Sequence, residues 1–89
     1  MKHSYLEVTY RKGRLLAAYY YLPRREGDRS ARTDRIADGF VVDLTADGRA
    51  IGVEIVTPAR FVLAKLNDVL ARYGQPLIRP EDVAPLAAA

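Results

Sequence analysis

The sequence predicts an α+β domain: an antiparallel sheet of about four strands, made of two hairpins in meander order, with one C-terminal helix over residues 58–73 packed on one face. Three observations support this prediction. Apolar runs flank Asp47-Gly48, a second pair of runs flanks Lys12-Gly13, and an amphipathic stretch follows the second hairpin. We expect a single domain over residues 1–76, followed by a C-terminal extension over residues 77–89.

The hairpin around Asp47-Gly48 is the most strongly specified element. Asp-Gly favours a tight turn, and a two-residue loop there gives three cross-strand pairs on one face. These pairs are Leu44 with Ile51, Val42 with Val53, and Phe40 with Ile55. The other face then has Asp43 opposite Gly52, with Glu54 on the diagonal. A glycine inside a strand indicates a bulge or the close approach of another chain or side chain.

The first hairpin contains a run of three tyrosines. A loop at Lys12-Gly13 places Tyr10 opposite Leu15, Val8 opposite Ala17, and Leu6 opposite Tyr19. This register puts Tyr19 and Tyr21 on the face of Leu6, and Tyr20 on the other face. Tyrosine is enriched at interfaces because it combines apolar area with a polar tip. Core packing and contact with a partner are therefore two open interpretations of all three side chains.

The remaining elements follow from shorter signals. Residues 31–37 form a weak strand that leads into the central hairpin, and Pro23 ends the strand before it. Thr57-Pro58 is a favourable start for a helix, and Gly74 is a favourable end. The apolar stripe of this helix consists of Ala59, Val62, Leu63, Leu66, Val69, Leu70 and Tyr73. One helical turn is expected near Pro80.

Composition narrows the classes of function. There is no cysteine, which excludes disulfides and thiolate zinc sites, and the single histidine, His3, gives no support to histidine chemistry. No apolar run approaches the roughly 20 residues that span a bilayer, so we expect a cytoplasmic protein without membrane contact. Residues 1–35 hold 9 Lys and Arg against 4 Asp and Glu, which places the basic character of the chain in its N-terminal part.

Two groups of charged residues are candidate sites. Asp43 and Glu54 form an acidic pair that would bind a divalent cation or act as acid and base, or else form a solvated sheet face. A basic stretch would contact nucleic-acid phosphates, or else form a solvated loop with local ion pairs. It consists of Arg24, Arg25, Arg29, Arg32 and Arg35. No catalytic residue, cofactor or metal site is assigned.

The hairpin motif also resembles a known family. The run from Asp38-Gly39 through Asp43, Gly48 and 52–55 is similar to a family of short prokaryotic proteins that is classified as a domain of unknown function. The resemblance covers about residues 5–58. It implies no activity, although some members are thought to be encoded beside small toxin genes.

Three hypotheses of function follow. The first is a non-catalytic interaction module that forms a homodimer or is the small partner of another protein. It depends on surplus apolar surface and on the lack of a catalytic constellation. The second is a nucleic-acid-associated or antitoxin-like regulator that uses the arginines of 24–35. The third is a metal-dependent enzyme that uses the acidic pair.

Overall fold

The computed structural model describes residues 3–36 and 39–87, without the side chains of Ala59 and Ala87. Ala37, at the end of the predicted weak strand, and Asp38, in the hairpin motif, lie outside the described residues. The described strands are β1 (Tyr5–Arg11), β2 (Arg14–Tyr21), β3 (Arg32–Ile36), β4 (Phe40–Leu44) and β5 (Ala50–Ile55). The helices are a 3₁₀ turn (Pro58–Arg60), α1 (Leu63–Arg72), a second 3₁₀ turn (Pro80–Val83) and α2 (Ala84–Ala87).

The strands form one antiparallel sheet in the order β1-β2-β5-β4-β3. The α+β class is confirmed, but the prediction of about four strands in meander order is wrong. The segment after β2 crosses to the far edge, where Ala31 N–H donates to the Leu44 carbonyl at 2.8 Å. Burial explains this order: β5 is buried at nearly every position and takes the centre, whereas the arginine-bearing β3 is largely exposed and takes an edge.

The register of the first hairpin differs by one residue from the prediction. The turn is as expected, because Lys12 and Gly13 both have positive φ, of 52° and 76°. The pair Tyr10 with Leu15 is also confirmed, but an irregularity between Thr9 and Tyr10 leaves Leu16 without a partner across the ladder. Every later pair is shifted, so that Leu6 faces Tyr20 and Val8 faces Ala18.

The second hairpin keeps most of its predicted register. Phe40 with Ile55, Val42 with Val53, and Asp43 with Gly52 are confirmed pairs. The pair Leu44 with Ile51 is wrong, because Leu44 pairs with Ala50. The loop is longer than two residues, since Thr45 and Arg49 close it: Thr45 N–H donates to the Arg49 carbonyl at 2.9 Å, and Arg49 N–H donates to Thr45 Oγ1 at 3.0 Å.

The predicted helix over 58–73 is broken into two pieces. Phe61 and Val62 are extended, with ψ angles of 134° and 117°, between the 3₁₀ turn and α1. Phe61 packs against the core from this position, and β-branched Val62 favours extended backbone. Packing of the Phe61 ring against the core therefore stabilises the fold more than a continuous helix over these residues would. Gly74 ends α1 as predicted: its N–H donates to the Ala71 carbonyl, and the next N–H donates to the Leu70 carbonyl.

The core lies between one face of the sheet and the C-terminal half of the chain. α1 contributes Leu66, Val69 and Leu70. The segment after Pro76 adds three buried side chains to the same core: Ile78, Val83 and Leu86. Asn67 holds this segment, because its side-chain amide donates to the Ile78 carbonyl at 3.2 Å and accepts from Ile78 N–H at 2.8 Å. Within residues 3–36 and 39–87, no helix has the length and apolarity to cross a membrane.

Candidate interaction surface

The sheet face opposite the core, which we call the tyrosine face, carries tyrosines and carboxylates. The register places the following residues on it: Tyr5, Glu7, Tyr19, Tyr21, Thr33, Arg35, Val41, Asp43, Gly52 and Glu54. Its side chains are half-buried or exposed, whereas those of Phe40, Val42 and Val53 on the core face are buried. One face of an antiparallel sheet is thus packed and the other faces solvent.

Three tyrosine rings form a cluster on this face. Tyr5 and Tyr21 are stacked, with ring centroids 4.4 Å apart and planes at 13°. Tyr19 packs against Tyr21 at 4.6 Å with its ring tilted by 57°, and the Arg24 guanidinium lies 5.3 Å from the Tyr21 centroid. Stacked and tilted ring pairs and a cation over a ring are all attractive arrangements. The cluster is therefore ordered within the monomer, although Tyr5 remains 46% exposed.

Tyr19 lies across Gly52 to reach Asp43. Its hydroxyl donates to Asp43 Oδ2 at 2.5 Å. A Cβ at position 52 would come within 2.0 Å of the Tyr19 hydroxyl oxygen, so only glycine leaves room for this ring. The predicted close approach to Gly52 is confirmed, and the approaching group is a side chain of the same chain.

Two tyrosines of this face have raised pKa values. Burial raises the pKa of Tyr19 well above its ordinary value, the hydrogen bond and negative charge of Asp43 raise it further, and Arg24 acts in the opposite direction. Burial also raises the pKa of Tyr21, with the charge of Glu7 and the hydrogen bond to it, 3.4 Å long, as further causes. Both hydroxyls are held in the neutral form, as donors to carboxylates.

The two carboxylates of the acidic pair, Asp43 and Glu54, have different surroundings. Asp43 faces Gly52 and accepts the hydrogen bond from Tyr19, whereas Glu54 faces Val41 and Tyr19 and is exposed. Within the described part of the chain, no group of three or more histidine, cysteine or acidic side chains is placed to hold a metal ion. Asp43 therefore acts in this structure as the acceptor that positions the ring of Tyr19.

The three consecutive tyrosines have different positions. Tyr20 is buried in the core, whereas Tyr19 and Tyr21 lie on the tyrosine face. The predicted register had placed Tyr19 and Tyr21 beside Leu6 and Val8, and this is wrong because of the irregularity in the first hairpin. Tyr5 joins the cluster for the same reason, since it pairs with Tyr21.

The arginines of the basic stretch do not form one continuous surface. Arg24 donates from Nη2 to the Ile51 carbonyl at 2.7 Å. Arg29 lies exposed in the loop that joins β2 to β3 over residues 22–31, which we call the crossover loop. Arg32 and Arg35 are three residues apart on β3 and point to opposite faces of the sheet. The structure thus keeps Arg24 and Arg25 together, whereas Arg29, Arg32 and Arg35 lie elsewhere.

Arg24 and Arg25 of the basic stretch, together with two arginines from elsewhere in the sequence, line a cleft of about 730 Å³ at one end of the sheet. Its lining consists of Pro23, Arg24, Arg25, Gly48, Arg49, Ala50, Arg72, Tyr73 and Gln75. We call it the arginine cleft. The sequence pattern does not point to Arg49 or Arg72, because both are isolated in the sequence and belong to no motif. Arg49 follows the Asp-Gly turn and Arg72 is in the last turn of α1, and only the fold brings them together.

Asp28 and Asp47 hold Arg49 in place. Arg49 donates from Nη1 and Nη2 to the two carboxylate oxygens of Asp28, at 2.9 and 2.7 Å, and from Nε to Asp47 at 3.1 Å. The Arg49 hydrogen bonds lower the pKa of Asp28 to about 2, with the backbone N–H of Arg25 as a second cause. This bidentate pair ties the crossover loop to the hairpin loop.

Comparisons with known proteins add no relative. No protein-family model, no curated protein and no solved structure gives a significant match to the chain. The resemblance of the hairpin to a family of unknown function therefore stays a prediction, and function has to be argued from the residues themselves.

Proposed function

We propose that the protein is a non-catalytic interaction module that associates through the tyrosine face, in the first place with a second copy of itself. One observation carries this proposal: the sheet packs its helices on one face and presents an ordered cluster of three tyrosines on the other. Aromatic side chains supply much of the binding energy at protein interfaces.

The order of the cluster favours binding. An interface side chain that is immobilised on association costs about 0.5–1.5 kcal/mol of conformational entropy. Tyr19 is already fixed by Asp43, and Tyr21 lies between Tyr5 and Arg24. Because these rings are held in the monomer, most of this cost is absent when a partner packs on them.

Charge favours one arrangement of two copies. One row across the face runs from Glu7 on edge strand β1 to Arg35 on edge strand β3. A two-fold axis parallel to the strands places β1 of one copy over β3 of the other, so that Glu7 meets Arg35 at both ends. Glu54, on the central strand of the same row, lies near this axis in both copies, and the two carboxylates repel.

The size of the face indicates weak association. Five strands at a spacing of about 4.8 Å, with an average length of about six residues, give a face of about 24 by 20 Å, or about 480 Å² per copy. The total of about 960 Å² is below the roughly 1,200 Å² of stable interfaces. We therefore expect a reversible dimer that forms as the protein concentration rises.

Sedimentation equilibrium across a concentration series tests this proposal. The wild-type chain of 9.9 kDa should approach twice that mass at the highest concentrations. Tyr5→Asp should raise the dimer dissociation constant by about tenfold or more, because it removes a ring and adds a charge to the tyrosine face.

Tyr10→Asp is the matched control. Tyr10 lies on the same strand and is similarly exposed, 51% against 46%, but its side chain belongs to the other face. This variant should dimerise like the wild type. A chain that remains monomeric at every concentration, or variants that weaken association equally, would contradict self-association through this face.

A further inference from the structure

We propose that the arginine cleft binds a small anion that carries more than one phosphate group. The cleft adjoins the tyrosine face at Arg24, but the inference does not depend on the proposed function. Three segments that are distant in the sequence meet there: the start of the crossover loop, the hairpin loop, and the end of α1. Its volume is within the range of about 300–1,000 Å³ that is typical of small-molecule sites.

The charged side chains of the lining are all basic. Four arginines and no acidic side chain line the cleft. A guanidinium group presents planar N–H donors that match the oxygens of a phosphate group, often with two parallel hydrogen bonds. Several guanidinium groups around one concavity favour a compact anion with several negative oxygens over a single carboxylate.

Two of the arginines are positioned in advance. Arg24 is held by the Ile51 carbonyl and lies over the Tyr21 ring, and Arg49 is held by Asp28 and Asp47. These acceptors fix the directions of the guanidinium groups, and in the case of Arg49 they also offset its charge. Arg49 therefore shapes the cleft more than it charges it.

The other two arginines, Arg25 and Arg72, supply the positive charge that attracts the anion. Arg25 and Arg72 are exposed residues of the lining, and neither makes an ion pair with another residue of the described ranges. They approach from separate segments, which suits an anion with more than one phosphate group. The Gln75 side-chain amide adds a neutral donor beside Arg72.

The C-terminal end of α1 disfavours an anion in the cleft, but hydrogen bonds to its last carbonyls reduce this repulsion. The C-terminal end of α1 lies at the cleft, and free carbonyls at a helix end repel negative charge. Here the N–H groups of Gly74 and Gln75 donate to the carbonyls of Ala71 and Leu70. These two carbonyls are therefore occupied, and Arg72 adds a positive charge to the last turn.

The shape of the basic surface favours a small anion over a nucleic-acid strand. A strand needs a row of positive charges along its backbone. Arg32 and Arg35 point to opposite faces of β3, so the basic stretch does not continue the cleft as a track. The positive groups instead converge on one cavity.

Isothermal titration calorimetry with inorganic pyrophosphate as the probe, at low ionic strength, tests the inference. The wild-type protein should bind one equivalent, with an affinity that falls as salt is added. Arg25→Ala and Arg72→Ala should each weaken binding by about tenfold, because each removes a charge-assisted contact. Both side chains are exposed, and circular dichroism should confirm that both variants fold.

Arg14→Ala is the matched control, because it removes the same charge from an exposed arginine at the opposite end of β2. It should bind pyrophosphate within about twofold of the wild type, since a distant surface charge contributes little. Three outcomes would overturn the inference. These are a lack of saturable binding, an equal loss with Arg14→Ala, and tighter binding of a short single-stranded oligonucleotide that weakens equally in all three variants.

Discussion

The two faces of the same five-stranded sheet are stabilised in different ways. The core face depends on aliphatic packing: Val42, Val53 and Leu66 are at most 1% exposed. The tyrosine face depends on rings, one short hydrogen bond and a missing side chain at Gly52. Hydrophobic burial is non-directional, whereas aromatic and hydrogen-bonded contacts require a particular geometry. The fold therefore depends mainly on the core face, and the tyrosine face is the surface through which we propose that the protein associates.

The largest effect is expected on the core face. Leu66→Ala removes a completely buried side chain, so we expect a loss of about 2–5 kcal/mol in the free energy of unfolding. Leu77→Ala is the control, because Leu77 is 65% exposed and the same truncation there should change stability by less than about 0.5 kcal/mol. Urea unfolding of both variants measures the difference. Equal effects would contradict the assignment of the core.

An intermediate effect on the free energy of unfolding is expected at Gly52, the glycine of the tyrosine face. Gly52→Ala forces the Tyr19 ring away from Asp43, at an expected cost of about 1–3 kcal/mol from overpacking and the lost hydrogen bond. The same change in a Tyr19→Ala background should be neutral or stabilising, because alanine lowers the entropy of the unfolded chain. A double-mutant cycle by urea unfolding measures this coupling. Equal costs in both backgrounds would show that the ring does not cover Gly52.

The smallest effect on the free energy of unfolding is expected from removal of the Tyr19 hydroxyl. Tyr19→Phe removes the donor to Asp43 and should cost about 1 kcal/mol near pH 8. Burial and Asp43 raise the folded-state pKa of Tyr19 above the unfolded value of 10.0, so this stabilisation is complete below pH 10 and is lost as the pH rises further. The stability difference between wild type and variant should therefore shrink above pH 10.

Urea unfolding at a series of pH values measures this trend. Tyr10→Phe, which removes an exposed hydroxyl from the other face, should stay close to wild type near pH 8. A difference between wild type and Tyr19→Phe that grows with alkaline pH would contradict the role given to Asp43.

The sequence predicts the positions of turns well because turn signals are local, but it predicts only some of the cross-strand pairs. Lys12-Gly13, Gly74 and the pair Val42 with Val53 are all where the pattern placed them. The face of a strand is harder to predict where both sides are apolar. One extra residue in the first hairpin, at Leu16, reverses the faces of Tyr19 and Tyr20 without changing the turn.

Non-local contacts carry no comparable signal in the sequence. β2 pairs with β5 and not with the next strand along the chain, and nothing in either strand specifies that choice. The arginine cleft depends on it, because Arg24 and Arg49 meet only where the ends of these two strands lie side by side. The tyrosine run and Gly52 are local signs of the tyrosine face, but only the fold shows that Tyr19 lies over Gly52.

The most direct test of the account is a concentration series followed by NMR of the tyrosine ring protons. If the tyrosine face is the contact surface, the ring signals of Tyr5 and Tyr21 should shift progressively with protein concentration. The signals of Tyr20 in the core and of Tyr10 on the other face should stay constant. Constant Tyr5 and Tyr21 signals, or shifts confined to Tyr10, would contradict the claim that this face mediates association.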